Sequence, residues 1–158
     1  MGVEVGQTAP DAQVINADRK FTKLSDLRGK TTVLLFFPGA FTGACTKEMC
    51  AIRDGLAKLN ALNAQVVGIS VDSPFAQKFF AESNGLNFPL LSDYNREAVK
   101  AFDVQDPSFA GGTMPGVAWR SVFVLDKDRV VRWKWVTAAQ GTEPDYAAVE
   151  AAVKAIGH

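Results

Sequence analysis

Seven consecutive residues, Thr31-Thr32-Val33-Leu34-Leu35-Phe36-Phe37, run without a charge and are β-branched, aliphatic or aromatic throughout. Such a run reads as a central strand buried on both faces of a sheet, because a solvated face would show polar residues at alternate positions. Pro38 and Gly39 then break the ladder. A helical pattern starts around Cys45 and continues through Ile52, Leu56, Leu59 and Leu62 at spacings of three and four. Both cysteines of the chain, Cys45 and Cys50, fall within this strand, turn and helix. Cys45 is thereby placed at a helix N-terminus, where unpaired N–H groups and the positive end of the helix dipole favour a thiolate over a thiol. A helix start at the end of a sheet strand is also where ligand access is expected.

Length and charge bound the possibilities. The 158 residues suffice for a single domain, 1–158, that buries a real core without disulfide staples or a structural metal. Lysine plus arginine equals aspartate plus glutamate at 17 each, so no net positive field is available for phosphate backbones or an anionic membrane, and nucleic acid is not an expected partner. The first residues, Met1 to Gly6, show no basic segment followed by an apolar run, and no window reaches the roughly 18 apolar residues of a membrane span. A cytoplasmic location is the expectation. In a compartment that keeps thiols reduced, two cysteines five apart are more readily redox-active than structural.

The rest of the chain supplies the other elements. Asp11 to Phe21 predicts a short hairpin turning near Asn16-Ala17-Asp18. Ala64 to Val71 reads as a second buried strand, followed by Ser73-Pro74 as helix N-cap and first helical residue, with that helix running to about Ser83 and stopped by Asn84-Gly85. Phe88 to Leu91 predicts a short strand, and Asn95 to Ala101 one or two helical turns. Three glycines and two prolines make Asp106 to Ala118 a loop. Arg120 to Leu125 and Val130 to Val136 follow as a strand hairpin turning at Asp126–Arg129. Thr142, Pro144 and Asp145 predict the start of a last helix that carries Tyr146, Val149, Val153 and Ile156 on one face and ends at Gly157. Alternation first and antiparallel pairing afterwards give an α/β chain of thioredoxin-like arrangement, a mixed central sheet with helices on both faces.

The available side chains narrow the chemistry. The single histidine is His158, the last residue, so the Cys/His pair of a cysteine protease and the roughly four ligands of a zinc site are both missing. No cofactor or metal is called for. The absence of C-x-x-C argues against a thioredoxin-type dithiol exchanger. Residues five apart on an ideal helix have Cα atoms about 8.6 Å apart. A disulfide requires less than about 7 Å, so joining Cys45 to Cys50 would unwind the first turn or two of the helix. On spacing alone, Cys50 is equally an inert thiol on a helix face.

Pro38-x-x-x-Thr42-x-x-Cys45, with Glu48 three residues further on, resembles the active-site signature of the peroxiredoxins, thiol peroxidases on a thioredoxin-like fold. The resemblance extends from Val5-Gly6-x-x-Ala9-Pro10-Asp11 through Phe88–Asp93 and Arg120-x-x-Phe123-Val124-Leu125-Asp126 to the final helix. It implies that Cys45 is the peroxidatic thiolate, which becomes a sulfenic acid. Thr42 would hold the peroxide, Pro38 would shield the pocket from water, and Arg120 would stabilise both the thiolate and the charge developing on the leaving oxygen. Glu48 either orients that arginine through an ion pair or is a solvated helical carboxylate. Trp119 either borders the pocket or packs, while Trp133 and Trp135 read as core or subunit-contact residues.

Cys50 is similar to the resolving cysteine of the bacterioferritin comigratory protein branch, five residues after the peroxidatic one, which implies an intrachain Cys45–Cys50 disulfide. Phe37 to Thr42 looks closer to the five-type and one-cysteine branches, and Gly43-Ala44 departs from the proline-containing pair often found before the cysteine. The expected activity is reduction of hydrogen peroxide and small organic hydroperoxides, with thioredoxin or a related dithiol protein as reductant, by a monomer or a homodimer. The rival expectation is a non-enzymatic thiol redox sensor or regulatory binding protein switched by the same cysteines.

Overall fold

All six side chains of Thr31–Phe36 are buried, and they alternate between two cores on opposite faces of one sheet: Val33 and Leu35 on one, Leu34 and Phe36 on the other. The computed structural model describes residues 2–156. In chain order its strands are β1 (Gln13–Ile15), β2 (Phe21–Lys23), β3 (Thr31–Phe36), β4 (Ala64–Ser70), β5 (Leu90–Ser92), β6 (Gln105–Asp106), β7 (Val117–Ala118), β8 (Ser121–Leu125) and β9 (Val131–Val136). The helices are α1 (Gly43–Ala61), α2 (Pro74–Ser83), α3 (Glu97–Ala101) and α4 (Tyr146–Ile156). Among the described residues, seven strands form one sheet in the order β2-β1-β5-β4-β3-β8-β9. The β3–β4 and β4–β5 pairs are parallel and the other pairs antiparallel. This is the mixed sheet of a thioredoxin-like fold.

Burial follows from the period of two along β3 and its neighbours. One face packs Met49, Ile52, Leu56 and Leu59 of α1, Phe80 of α2, and Val149 and Val153 of α4 against Val33, Leu35, Val122 and Val124. The other face is covered by Ala98 and Val99 of α3, by Phe102, and by N-terminal residues such as Val14 and Leu24. There Phe36, Phe102 and Phe123 form a triangle of rings with centroids 5.0–5.8 Å apart.

Local chemistry accounts for the element ends. The β1–β2 turn is closed by the Asn16 side-chain carbonyl, which accepts from the N–H groups of Asp18 and Lys20. Ser73 Oγ accepts from Ala76 N at 3.2 Å as the N-cap of α2, with Pro74 in the first turn. Several boundaries differ from expectation: β5 spans Leu90–Ser92 rather than Phe88–Leu91, α3 starts at Glu97 rather than Asn95, and the first hairpin runs on to Lys23. Helix α1 begins at Gly43, two residues before Cys45, with Thr42 as its N-cap. Helix α4 begins at Tyr146 rather than after Thr142, because Asp145 Oδ1 accepts from Ala148 N at 3.2 Å while Thr142 N is used by Ala139 O in a preceding turn. The Asp106–Ala118 loop is pinned at its base, where β6 and β7 pair antiparallel. The expected helix stop at Gly157, like His158, lies outside the described residues. No helix among the described residues is long and apolar enough to cross a membrane.

Candidate active site

The turn that carries the signature is built from its own backbone. Phe37 N continues the ladder to Ile69 O at 3.0 Å, and Pro38, which has no N–H to offer, ends it. Asp72, just past β4, accepts from Ala40 N at 2.7 Å and from Ser70 Oγ at 2.8 Å, tying the turn to the end of the neighbouring strand. Phe41 takes a left-handed conformation (φ 65°), and its half-exposed ring packs on Phe79 and Phe80 of α2. Thr42 is half-buried, and its Oγ1 donates to Gly39 O at 3.1 Å instead of capping the helix. Pro38 is buried.

Cys45 is the third residue of α1 and is fully buried, packed in the core with Phe37 and Met49. The expected solvent access at this position is therefore absent from the conformation seen. Cys45 shares its core cluster with Phe37 at the end of β3, and Ala40 of the Pro38–Thr42 turn packs against that cluster.

Arg120 faces the thiol. It directly precedes β8, whose Ser121 is in register with Phe36 at the end of β3, so the sheet itself delivers the arginine to the cysteine. The side chain is only 1% exposed. Nη2 donates to Cys45 Sγ at 3.1 Å, Nη1 donates to Glu48 Oε1 at 2.8 Å, and Nε donates to Gln140 O at 3.3 Å. The planar fork of a guanidinium is what allows one residue to reach all three. Glu48 is thus a buried ion-pair partner and not a solvated carboxylate.

The charges are strongly coupled to burial. Loss of water pushes the Glu48 carboxyl up to about 7 against the opposing pull of Arg120, and its Oε2 has no hydrogen-bond partner. Burial works against the charge of Arg120 as well, but Glu48 and Cys45 outweigh it and hold the guanidinium above its ordinary value. Tyr146, whose hydroxyl donates to Glu143, is held far above the usual phenol range by burial and by that bond.

Gln140 had no signal in the sequence. It lies in the loop between β9 and α4, yet its Oε1 accepts from Arg120 N at 3.1 Å and its Nε2 donates to Asp106 Oδ2 and to Ala118 O, both at 3.0 Å. It locks the strand end that carries the arginine, and periodicity cannot reveal a loop residue used in this way. Trp119 packs against the core on the α3 side, and Trp133 and Trp135 against the α1 and α4 side.

Cys50 is half-buried on another side of the same unbroken helix. Its Sγ faces Asn84 Oδ1 at 3.8 Å, at the end of α2. Both cysteines are free thiols in this structure. Of the sequence-predicted residues, Cys45 and Arg120 are in direct contact, Pro38 and Thr42 line one cavity at the turn just before Cys45, and Cys50 is turned toward α2.

A thiol at a helix N-terminus, held against a buried arginine at the end of a central strand, defines a cysteine-based redox site on a thioredoxin-like sheet. The AhpC/TSA family matches residues 5–134. The chain belongs to that family and is a peroxiredoxin-type thiol peroxidase. It is 39% identical over 131 residues to a Haemophilus influenzae protein that bears the name peroxiredoxin bcp, covering 82% of this chain and 84% of that one. The structure is similar to that of peroxidoxin BcpB from Mycobacterium tuberculosis (31% identity, TM-score 0.83, covering 98% of this chain and 99% of that one). It is also similar to the bacterioferritin comigratory protein of Xanthomonas campestris (27% identity, TM-score 0.79, covering 93% and 92%).

Proposed function

We propose that Cys45 reduces hydrogen peroxide and small organic hydroperoxides, that Cys50 resolves the product, and that thioredoxin or a similar dithiol protein in a reducing, cytosolic compartment restores both thiols. The observation that carries this reading is the 3.1 Å contact between Arg120 Nη2 and the buried Cys45 Sγ. A permanent cation in contact with the sulfur has a fork that can follow negative charge as it moves from sulfur onto oxygen.

The thiolate attacks the terminal peroxide oxygen. An S–O bond forms, the O–O bond breaks, and the departing alkoxide or hydroxide takes a proton to leave as alcohol or water. Thr42 Oγ1, released from Gly39 O, orients the peroxide, and Pro38 keeps water from competing. Cys50 then attacks the sulfenic sulfur, forming the disulfide and expelling water, and the external dithiol reduces it. Alkyl peroxide reduction is named for the Xanthomonas campestris protein and supports the organic branch of the substrate range.

Resolution requires α1 to open at its start. Three features make that opening inexpensive: the Thr42 side chain makes no cap bond, Gly43 is the first helical residue, and the first turn holds no acidic side chain. The test mixes reduced protein with one equivalent of hydrogen peroxide, quenches within a second, and maps the thiols by mass spectrometry. A Cys45–Cys50 disulfide is expected. Sulfenic acid with Cys50 still free would assign resolution to an outside thiol, and two untouched thiols would overturn the reading. Continuous consumption of peroxide in the presence of reductant separates a peroxidase from a sensor, which reacts once.

A further inference from the structure

Arg120 is placed by more than the sheet. It stands one residue ahead of β8, and its carbonyl oxygen still accepts from Thr137 N at 2.9 Å. Its own N–H meets a side chain instead of a strand, donating to Gln140 Oε1 at 3.1 Å. The head of the arginine is held by the same residue, since Nε donates to Gln140 O at 3.3 Å while Nη1 and Nη2 are left for Glu48 and Cys45. One half-buried loop residue thus grips Arg120 at both its backbone and its guanidinium.

Gln140 is itself held in one orientation. A carboxylate and a carbonyl only accept, so the amide nitrogen must face Asp106 Oδ2 and Ala118 O, both at 3.0 Å, and the amide oxygen is left for Arg120 N. Asp106 is 2% exposed, and its other oxygen accepts from Ser108 N at 2.9 Å and Ser108 Oγ at 3.2 Å. A continuous set of hydrogen bonds therefore runs from the Cys45 sulfur through Arg120 and Gln140 to Asp106. Neither Gln140 nor Asp106 acts on sulfur, yet both bear on the group that does. Hydrogen bonds weaken steeply as alignment is lost, and donors stabilise developing charge only when they are in place before it develops.

We propose that Gln140 is a positioning residue for peroxide reduction, oriented by Asp106, and that it holds the Arg120 fork where it meets both Cys45 and the oxygen leaving the peroxide. The inference rests on the peroxidase reading of Cys45. Gln140 touches no reacting atom, so its effect on the rate passes through Arg120 alone.

The test mixes reduced enzyme with one equivalent of hydrogen peroxide and follows Cys45 oxidation by rapid quench and mass spectrometry, at a temperature where circular dichroism shows each variant to be folded. Gln140→Ala is expected to slow oxidation by about tenfold, less than the roughly 10²-fold that a misplacement of about 1 Å can cost. Asp106→Asn, which no longer dictates which end of the amide faces it, slows oxidation by a smaller factor. Gln140→Glu keeps the acceptor for Arg120 N but loses the donor to Asp106, and the charged groups facing the new carboxyl are Asp106 and Arg120. Its rate relative to wild type should recover as pH falls, because that carboxyl, crowded by Asp106, takes up a proton and can donate again. A double-mutant cycle isolates the route: in the Arg120→Met background, Gln140→Ala should change the rate by less than about twofold, since the guanidinium it acts through is gone. Equal slowing in both backgrounds, or a folded Gln140→Ala that reacts at the wild-type rate, would overturn the proposal. Should Gln140→Ala fail to fold, a pH-independent ratio of Gln140→Glu to wild type would overturn it. An unchanged rate in Asp106→Asn would remove Asp106 from it, and a wild-type enzyme whose thiols both stay untouched would instead strike the peroxidase reading.

Discussion

One guanidinium answers three acceptors at the buried site, so Arg120 is where chemistry and stability meet. Arg120→Met leaves Glu48 buried without its counter-ion, a loss of about 3–5 kcal/mol where that carboxyl is ionised. Because Glu48 sits at about 7 even with Arg120 beside it and rises further without it, the carboxyl of the variant keeps its proton, so the loss is expected to stay below that figure, to grow as pH rises above about 7 and to be smallest near pH 5.5. The rate of peroxide reduction should fall by about 10²–10³, the scale for removing one donor to developing charge. Arg120→Lys retains the charge but not the fork, and is expected to lie between the two. Urea unfolding across this pH range and peroxide consumption test both statements; a pH-independent stability loss would refute the ionisation argument.

Glu48 itself gives a second residue-scale prediction. A carboxyl raised from 4.5 to about 7 on folding holds its proton more tightly in the folded state than in the unfolded state. Its contribution is therefore fully present below about pH 4.5 and is lost as pH rises through about 7, by an amount on the order of 3 kcal/mol. Asp11, Asp26 and Asp126, held below their ordinary values, act in the opposite sense and in a more acidic window. Asp93, raised by burial, acts in the same sense as Glu48, so the variant is needed to isolate one group. Relative to wild type, Glu48→Gln should gain stability between pH 5 and pH 8. Denaturation midpoints that show no such relative gain would exclude Glu48 as the titrating group.

At the scale of elements, α1 has two tasks that pull against each other: it holds Cys45 against Arg120, and it must open for Cys45 to reach Cys50. The sequence makes the existence of this helix and of β3 plain, because an uncharged run and a three-and-four spacing are strong periodic signals. Its start is not legible to the residue, since Gly43-Ala44 carries neither a cap side chain nor an apolar face, and the helix begins two residues early. The start of α4 escapes for a related reason: Thr142 and Asp145 are both competent caps, and only the turn closed by Ala139 O decides between them. Gly43 offers a clean test of the opening step. Its backbone is free of positive φ and an added Cβ meets nothing within 4 Å, so Gly43→Ala should stabilise the first turn by about 0.5–1 kcal/mol. Disulfide formation should slow by about two- to fivefold, and sulfinic acid at Cys45 should appear at lower peroxide concentration, because a second peroxide then competes with a slower helix opening. Rapid-quench mass spectrometry measures both, and an unchanged disulfide rate would show that opening of this turn does not limit resolution.

At the scale of the whole molecule, the site exists because β8, nearly ninety residues after β3, pairs antiparallel with it and delivers Arg120 beside Cys45. The strand hairpin that contains β8 is readable from alternation, and the signature marks Arg120 once the family resemblance is seen. Its neighbour in the sheet is a long-range choice that no local pattern encodes. The burial of Cys45 and the part played by Gln140 belong to the same category, since both arise where distant segments meet. The two cores also divide the labour. Cys45, Glu48 and α1 pack on one face, whereas the Phe36, Phe102 and Phe123 rings close the other. Phe102→Leu should therefore cost about 1–2 kcal/mol of global stability, through lost ring contacts and a small void. The thiol site lies across the sheet from that void, so at a temperature where the variant is fully folded its rate with peroxide should stay within about twofold of wild type. A large fall in rate in the folded variant would mean that the rings set the position of β3 or β8, and that the two faces act as one unit rather than as scaffold and site.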